Sequence, residues 1–172
     1  MEPQEISEDI EKARESNESR IGLTMAVVAV LLALSTMLGH RAHTEEVLIQ
    51  TKANDQWAYY QAKTIRAHMY EADAEMSKLF PHGEEISAGF TKRAEDQRKG
   101  AEEVKKEAEA KGRETDATSR KANQFDTSEI FLEISIVLCS ITLLTRRRLF
   151  FFVSFVSTLI GILFAGRGLL IH

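Results

Sequence analysis

Residues 130–165 read IFLEISIVLCSITLLTRRRLFFFVSFVSTLIGILFA, two apolar runs separated only by Arg146, Arg147 and Arg148. Extended to residue 171 as one straight helix, the stretch would be about 63 Å long with three guanidinium groups near its middle, a placement that a bilayer resists. It therefore reads as a hairpin of two transmembrane helices, 126–147 and 149–171, turning at the arginines. The first run, Ile130 to Thr145, has 16 residues and contains Glu133. Its Ile, Leu, Val and Phe side chains each favour insertion by roughly 0.3–0.6 kcal/mol, together outweighing a carboxylate that costs at most about 3 kcal/mol at a helix centre.

Working back toward the N-terminus, Ile21 to Gly39 (IGLTMAVVAVLLALSTMLG) offers 19 uncharged residues. As a helix this segment spans about 28 Å, near the hydrocarbon thickness. Residues 1–20 form an acidic N-terminal tail rather than the basic flank of a signal peptide, and no A-x-A-like site follows, so 21–39 reads as a retained anchor. Each span carries small residues at helical spacing: Gly22, Ala26, Ala29 and Ala33; Ser135, Cys139 and Thr142; Ser154, Ser157, Gly161 and Ala165. Such stripes let membrane helices approach closely. Cations in short loops stay cytoplasmic, so Arg146, Arg147 and Arg148 are the topology determinants. With three crossings the N-terminus is then cytoplasmic, while residues 40–129 and the C-terminus are extracytoplasmic.

Composition narrows the function classes. Among 172 residues there are 22 Lys and Arg, 26 Asp and Glu, 2 Pro, 9 Gly and a single Cys. So few turn formers argue against a sheet-rich fold. One cysteine excludes an intrachain disulfide framework, and a net charge of -4 argues against nucleic-acid binding, which needs a clustered basic surface. The fold class is an all-α membrane protein.

Between the first two spans, residues 40–129 have one strong breaker, Pro81-His82-Gly83, which divides them into arms 44–80 and 84–125. In the first arm Ala58, Ala62, Ile65, Met69, Ala72, Met76 and Leu79 recur at alternating spacings of four and three, a heptad seam. The second arm is weaker: Ile86 and Phe90 open a seam that continues through Ala101, Val104, Ala108, Thr115, Thr118, Ala122 and Phe125 but is interrupted by Lys111, with Gly100 and Gly112 as expected points of bending. The two arms make a long extramembrane antiparallel helical hairpin, coiled-coil-like, whose thin Ala-rich seam favours self-association.

The most distinctive stretch is Asn54-Asp55-Gln56-Trp57-Ala58-Tyr59-Tyr60-Gln61-Ala62-Lys63, followed by His68-Met69-Tyr70-Glu71. Asn54, Trp57, Gln61, Thr64 and His68 share a helix face. Asn54, Asp55, Trp57, Tyr60, Gln61, Lys63 and His68 are thus a candidate interaction face, in which aromatics supply contact area and amides supply hydrogen bonds. The alternative is that Trp57 and Tyr60 pack inside the hairpin. At these residues the chain resembles a family of bacterial membrane proteins known as domain of unknown function 4337. The resemblance covers nearly the whole chain and implies an early span, a central helical region, two closing spans and a bacterial inner-membrane location. It implies no activity.

Catalytic readings lack their geometry. His40, His43 and Glu46 could line one side of a helix, but no second cluster completes a metal site. Neither a nucleophile elbow, a phosphate loop nor an H-E-x-x-H motif occurs. No catalytic, cofactor or metal residue is assigned, and the protein is expected not to be an enzyme. Glu133 is the intramembrane polar residue, expected to reach the interface or to pair with Arg167. The expected partners are the lipid bilayer and either further copies of the chain, as a homo-oligomer, or another membrane protein. The expected role is a scaffold or assembly component; the alternative is a small oligomeric channel or transporter subunit using Glu133.

Overall fold

The computed structural model describes the backbone of residues 3–171 and the side chains of residues 18–171. Three helices follow one another, α1 (Pro3–Ser77), α2 (Gly83–Thr145) and α3 (Arg148–Leu170), and no strand occurs among the described residues. Most acidic side chains of the 1–20 tail lie outside the described residues. All three helices contain a stretch long and apolar enough to cross a membrane by length and composition.

The helix breaks follow local chemistry. Pro81 lacks an N–H and disfavours helix in the residue before it. α1 closes with the Leu79 and Phe80 amides donating to the Met76 and Ser77 carbonyls, each at 3.1 Å. α2 starts with Glu84 and Glu85 in its first turn, where the helix dipole favours acids. At the other end of α2, Arg146 adopts a left-handed conformation (φ 55°) and its N–H donates to the Thr142 carbonyl at 2.8 Å. This is the single-bond αL cap that glycine normally supplies. An arginine there costs about 1–2 kcal/mol in Cβ crowding, and α3 begins two residues later.

The chain divides into two units, Met1–Thr44 with Ala117–His172, and Glu45–Asp116. In the first unit the interior is rich in small and hydroxylic side chains: Ser35, Ser128, Ser135, Cys139, Thr142, Ser154, Ser157, Thr158 and Gly161 are buried, together with Ile21, Val28, Phe125 and Leu132. Leu23, Val27, Val30, Ile134, Val137, Phe152, Phe155 and Leu163 are exposed. Large apolar groups outside and small polar groups inside is an arrangement that lipid favours, because association there depends on close packing rather than on escape from water. Gly161 marks the closest approach: a Cβ on it would stand 2.9 Å from Leu132 Cγ and 3.2 Å from the Ser128 carbonyl oxygen. Phe125 joins all three helices, its Cβ 3.4 Å from the site of a Cβ on Gly39 and its ring 3.1–3.2 Å from that on Gly168. Ala42 and Ala122 complete that core, with Leu38 packed on it.

In the second unit segments of α1 and α2 run antiparallel. Tyr70 stacks on Phe90 with ring centroids 6.2 Å apart, and Arg98 Nη2 lies 2.6 Å from Glu71 Oε1. Buried positions include Ile49, Ala53, Ala67 and Ala74 on α1 and Ser87, Ala94, Ala101, Val104, Ala108 and Thr115 on α2. α2 passes unbroken through Gly100 and Gly112. Gly100 is a socket rather than a bend, since a Cβ on it would stand 2.7 Å from Lys63 Nζ.

The seam expected on the first arm is corrected. Ile65, Met69, Met76 and Leu79 are 59%, 60%, 61% and 81% exposed, and Ala58 and Ala72 also face outward, with Ala62 at the edge. The arms meet instead through Ala53, Gln56, Tyr60, Lys63, Ala67, Tyr70 and Ala74, buried or half-buried. The reason is distance: interaxial separation depends on the side chains at the contact, and alanine and serine let two helices come closer than isoleucine and methionine would. Ile86 is likewise exposed rather than opening the second seam.

Candidate functional site

The segment around Trp57 is built on α1 within the Glu45–Asp116 unit. Trp57 is 36% exposed and meets Tyr60 edge-on, with centroids 5.7 Å apart and planes at 87°. Tyr60 itself is half-buried, as is Lys63, whose Nζ lies 5.1 Å from the Tyr59 ring centroid. Asn54, Asp55, Gln61 and His68 are exposed. Asn54 Oδ1 accepts a hydrogen bond from Gln50 at 3.2 Å, and His68 Nδ1 lies 3.2 Å from Glu71 Oε2. The seven residues expected to form one face are therefore divided. Tyr60 and Lys63 serve the contact between the arms, Trp57 sits at the edge, and the other four look outward beside the exposed seam from Ala58 to Leu79.

That outer seam is the feature of this unit with capacity to spare. It is long, periodic and apolar, whereas the inner seam is thin and imperfect. Among the described residues, Gln56 Oε1 and Gln97 Oε1 are buried without a hydrogen-bond partner, each a penalty of about 1–3 kcal/mol. The charges around the arms are solvent-exposed pairs of small net value. At one of them a side-chain hydrogen bond from Lys99 to Glu95 (3.0 Å) and the charge of that carboxylate hold the ammonium above its ordinary value.

In the other unit the small-residue stripes read from the sequence meet each other. Ser135 Oγ lies 3.0 Å from the Ser154 carbonyl oxygen and 2.6 Å from Thr158 Oγ1. Ser154 Oγ lies 3.1 Å from the Ser135 carbonyl oxygen and 3.0 Å from Cys139 Sγ, and Ser157 Oγ donates to the Phe131 carbonyl at 2.7 Å. The hydroxyls of Ser135, Ser154, Ser157 and Thr158 thus each find an acceptor inside the pair, so this cluster clamps α2 to α3, whereas the buried Ser128 Oγ has no hydrogen-bond partner. Thr158 is a member that the sequence reading missed; its place one turn from Ser154 on the same face was the available signal.

Glu133 is exposed on α2 beside Ile130, Ile134 and Val137. The expected pair with Arg167 is not formed: Leu132 and Ser135 take the α2–α3 contact, and Glu133, one residue past Leu132, is turned about 100° from it. Arg146, Arg147 and Arg148 are exposed, with Arg146 Nη2 3.9 Å from Glu18 Oε1. His43 Nε2 lies 3.0 and 3.1 Å from the Asp126 carboxylate oxygens, and Thr36 Oγ1 donates to Glu129 Oε1 at 2.9 Å, so both tie α1 to α2. Among the described residues no group of three or more His, Cys, Asp or Glu could hold a metal ion.

No curated protein and no solved structure matches the chain. A family match, to one described as a domain of unknown function, runs from residue 17 to residue 171 and so takes in α1 from residue 17 onward, α2, α3, both hairpin turns and the Trp57 segment. The chain belongs to the DUF4337 family.

Proposed function

We propose that the protein is a non-enzymatic assembly component of a bacterial inner membrane, anchored by three crossings and acting through self-association of its helical hairpin. The observation that supports this best is the exposed seam Ala58, Ala62, Ile65, Met69, Ala72, Met76 and Leu79, a heptad pattern that the contact between the arms leaves uncovered. The apolar exterior of the unit holding α3 supports the membrane anchor. The exposed Arg146, Arg147 and Arg148 support a cytoplasmic turn and N-terminus, with residues 40–129 and the C-terminus outside. Ile65→Asp combined with Met69→Asp is expected to reduce the light-scattering mass of the detergent-extracted protein, corrected for bound detergent, from an oligomer to a monomer. Membrane extraction and helix content should stay unchanged. An unaltered mass would remove the seam from the assembly.

Glu133 favours a second reading, an oligomeric cation channel, because a carboxylate on an otherwise apolar face gains from being covered or hydrated at a copy-to-copy contact. That reading expects cation flux in liposomes that Glu133→Gln abolishes; liposomes with verified protein content and no flux would end it.

A further inference from the structure

We propose that the outer seam of α1 in the Glu45–Asp116 unit pairs with the same seam of a second copy of this chain, parallel and in register, with Asn54, Gln61 and His68 of each copy set against the partner's Tyr59, the partner's Arg66 and the partner's Asp73. The inference rests on the self-association reading and adds the direction and register of the contact.

The anchor fixes the direction. α1 is one helix that carries both the span 21–39 and the seam, so copies that enter one membrane with one topology present the seam pointing the same way. Two of them then meet about a two-fold axis parallel to the helices, each seam position facing its own copy. In the heptad frame Ala58, Ile65 and Ala72 are d positions, and Ala62, Met69 and Met76 are a positions. The exposed Ile65, Met69 and Met76 supply the bulk of the contact. Met69 and Met76 lie on either side of Ala72, and their flexible thioethers fill the space that the small layer leaves. Toward the span the next seam position is the exposed Asp55, which would face its own copy, so the contact starts at Ala58.

The flanks select the register. Asn54, Gln61 and His68 are g positions, Tyr59, Arg66 and Asp73 are e positions, and all six are exposed. In a parallel pair each g side chain meets the partner's e side chain of the following heptad. In register, the Asn54 amide donates to the partner's Tyr59 hydroxyl, the Gln61 carbonyl accepts from the partner's Arg66 guanidinium, and His68 stands against the partner's Asp73. Asn54 Oδ1 already accepts from Gln50, and His68 Nδ1 already lies 3.2 Å from Glu71, so the Asn54 NH2 and His68 Nε2 are the atoms turned to the partner. Each pair occurs twice by symmetry; a fourth, Glu75 against the partner's Phe80, adds nothing polar. A slip of one heptad in one direction sets Glu75 on the partner's Asp73 and His68 on the partner's Arg66, and a slip in the other sets His68 on the partner's Phe80. Complementary flanks choose register and partner in paired helices, and this seam is complementary to itself in register.

The test uses three full-length chains, Ala58→Cys, Ala72→Cys and Lys106→Cys, each also carrying Cys139→Ser so that it has one thiol. Oxidised briefly in membranes, the first two are each expected to give a same-residue disulfide dimer. Lys106→Cys, exposed on α2 away from the buried Ala101, Val104 and Ala108, is expected to give none. Residues 58 and 72 lie about 21 Å apart on the helix, so an antiparallel pair brings at most one of them within disulfide reach of its own copy, and a pair slipped by a heptad brings neither. A dimer from only one of the two, or from Lys106→Cys alone, would overturn the parallel seam. No dimer at all with an oligomeric light-scattering mass would overturn the seam pairing while leaving self-association standing, and a monomeric mass would overturn both. A readout independent of cysteine is the dissociation constant in liposomes. Gln61→Glu makes an ion pair with the partner's Arg66 twice per dimer and should tighten association about three- to fivefold, the value of two exposed pairs, while Gln61→Lys should weaken it by about as much. Adding Arg66→Gln to Gln61→Glu should cancel the gain. Within one chain residues 61 and 66 lie on different faces of the helix, so the cancellation reports a contact between chains. An unchanged constant in both Gln61 variants would overturn the register.

Discussion

Phe125→Ala should lower stability by about 3–5 kcal/mol, the range for removing a fully buried aromatic side chain. Phe125 is 1% exposed and is among the largest fully buried side chains in the described protein. It also meets glycine on two different helices: a Cβ on Gly168 of α3 would stand 3.1–3.2 Å from its ring, close enough that the ring would have to give, and one on Gly39 of α1 would stand at ordinary contact distance, 3.4 Å from its Cβ. The backbone has thus been shaped around the ring. Relaxation after truncation would require both helices to slide toward α2 past the Ala42–Ala122 contact, so a cavity remains. Ser35 Oγ, 3.4 Å from the Phe125 carbonyl oxygen, fixes the same level from the backbone side. Unfolding in a mixed-micelle denaturant series followed by circular dichroism measures the loss. Phe152→Ala is the control, because Phe152 is 67% exposed and should change stability by no more than a few tenths of a kcal/mol. Equal behaviour of the two variants would show that the three helices do not converge on Phe125.

The features read correctly from the sequence are those set by local composition. An apolar run of about twenty residues, three adjacent arginines and a Pro-His-Gly interruption each act on the chain within a turn or two, so α1, α2, α3 and their connections follow from the residues themselves. The second-arm seam was legible as well: Ala101, Val104, Ala108, Thr115, Thr118, Ala122 and Phe125 are all buried. On that arm a single set of positions combines heptad spacing with apolar or small side chains.

On the first arm two sets compete, and hydrophobicity ranks them wrongly. The set containing Ile65, Met69, Met76 and Leu79 is the more apolar, yet the set containing Ala53, Tyr60, Ala67 and Ala74 holds the arms together. What decides is the partner surface. Over its middle α2 presents Ser87, Ala94, Ala101 and Gly100, which favour small groups opposite and a side chain lying flat, as Lys63 does over Gly100, while Tyr70 is accommodated by stacking on Phe90. The sequence leaves Tyr60 open between the interaction face and the hairpin interior and puts Lys63 on that face for the same reason, since on an isolated helix nothing decides which residues turn inward. Glu133 shows the same limit inside the membrane-type unit, where its turn away from Arg167 follows from which stripe α3 selects.

The tip of the hairpin supports a sharper expectation. Gly83→Ala should be destabilising by about 3 kcal/mol, the upper part of the usual overpacking range, because a Cβ on Gly83 would stand 1.8 Å from the carbonyl oxygen of Ser77 and 3.3 Å from Lys78 Cα. These are backbone atoms and cannot rotate aside. A reader of Pro81-His82-Gly83 would give glycine the left-handed position, but His82 holds it, at φ 61°, while Gly83 has no positive φ. Adjacent residues therefore carry opposite expectations. His82→Gly removes the crowding of a β-carbon in the left-handed region and should stabilise the turn by about 1 kcal/mol; Gly83→Ala forces the Ser77 carbonyl and the turn hydrogen bond from the Gly83 N–H to the Phe80 carbonyl (3.0 Å) to separate. Amide exchange reads both, with protection at residues 79–86 rising in the first variant and collapsing in the second. Collapse in His82→Gly together with unchanged protection in Gly83→Ala would mean that the close approach of α2 to the end of α1 is not what shapes the tip.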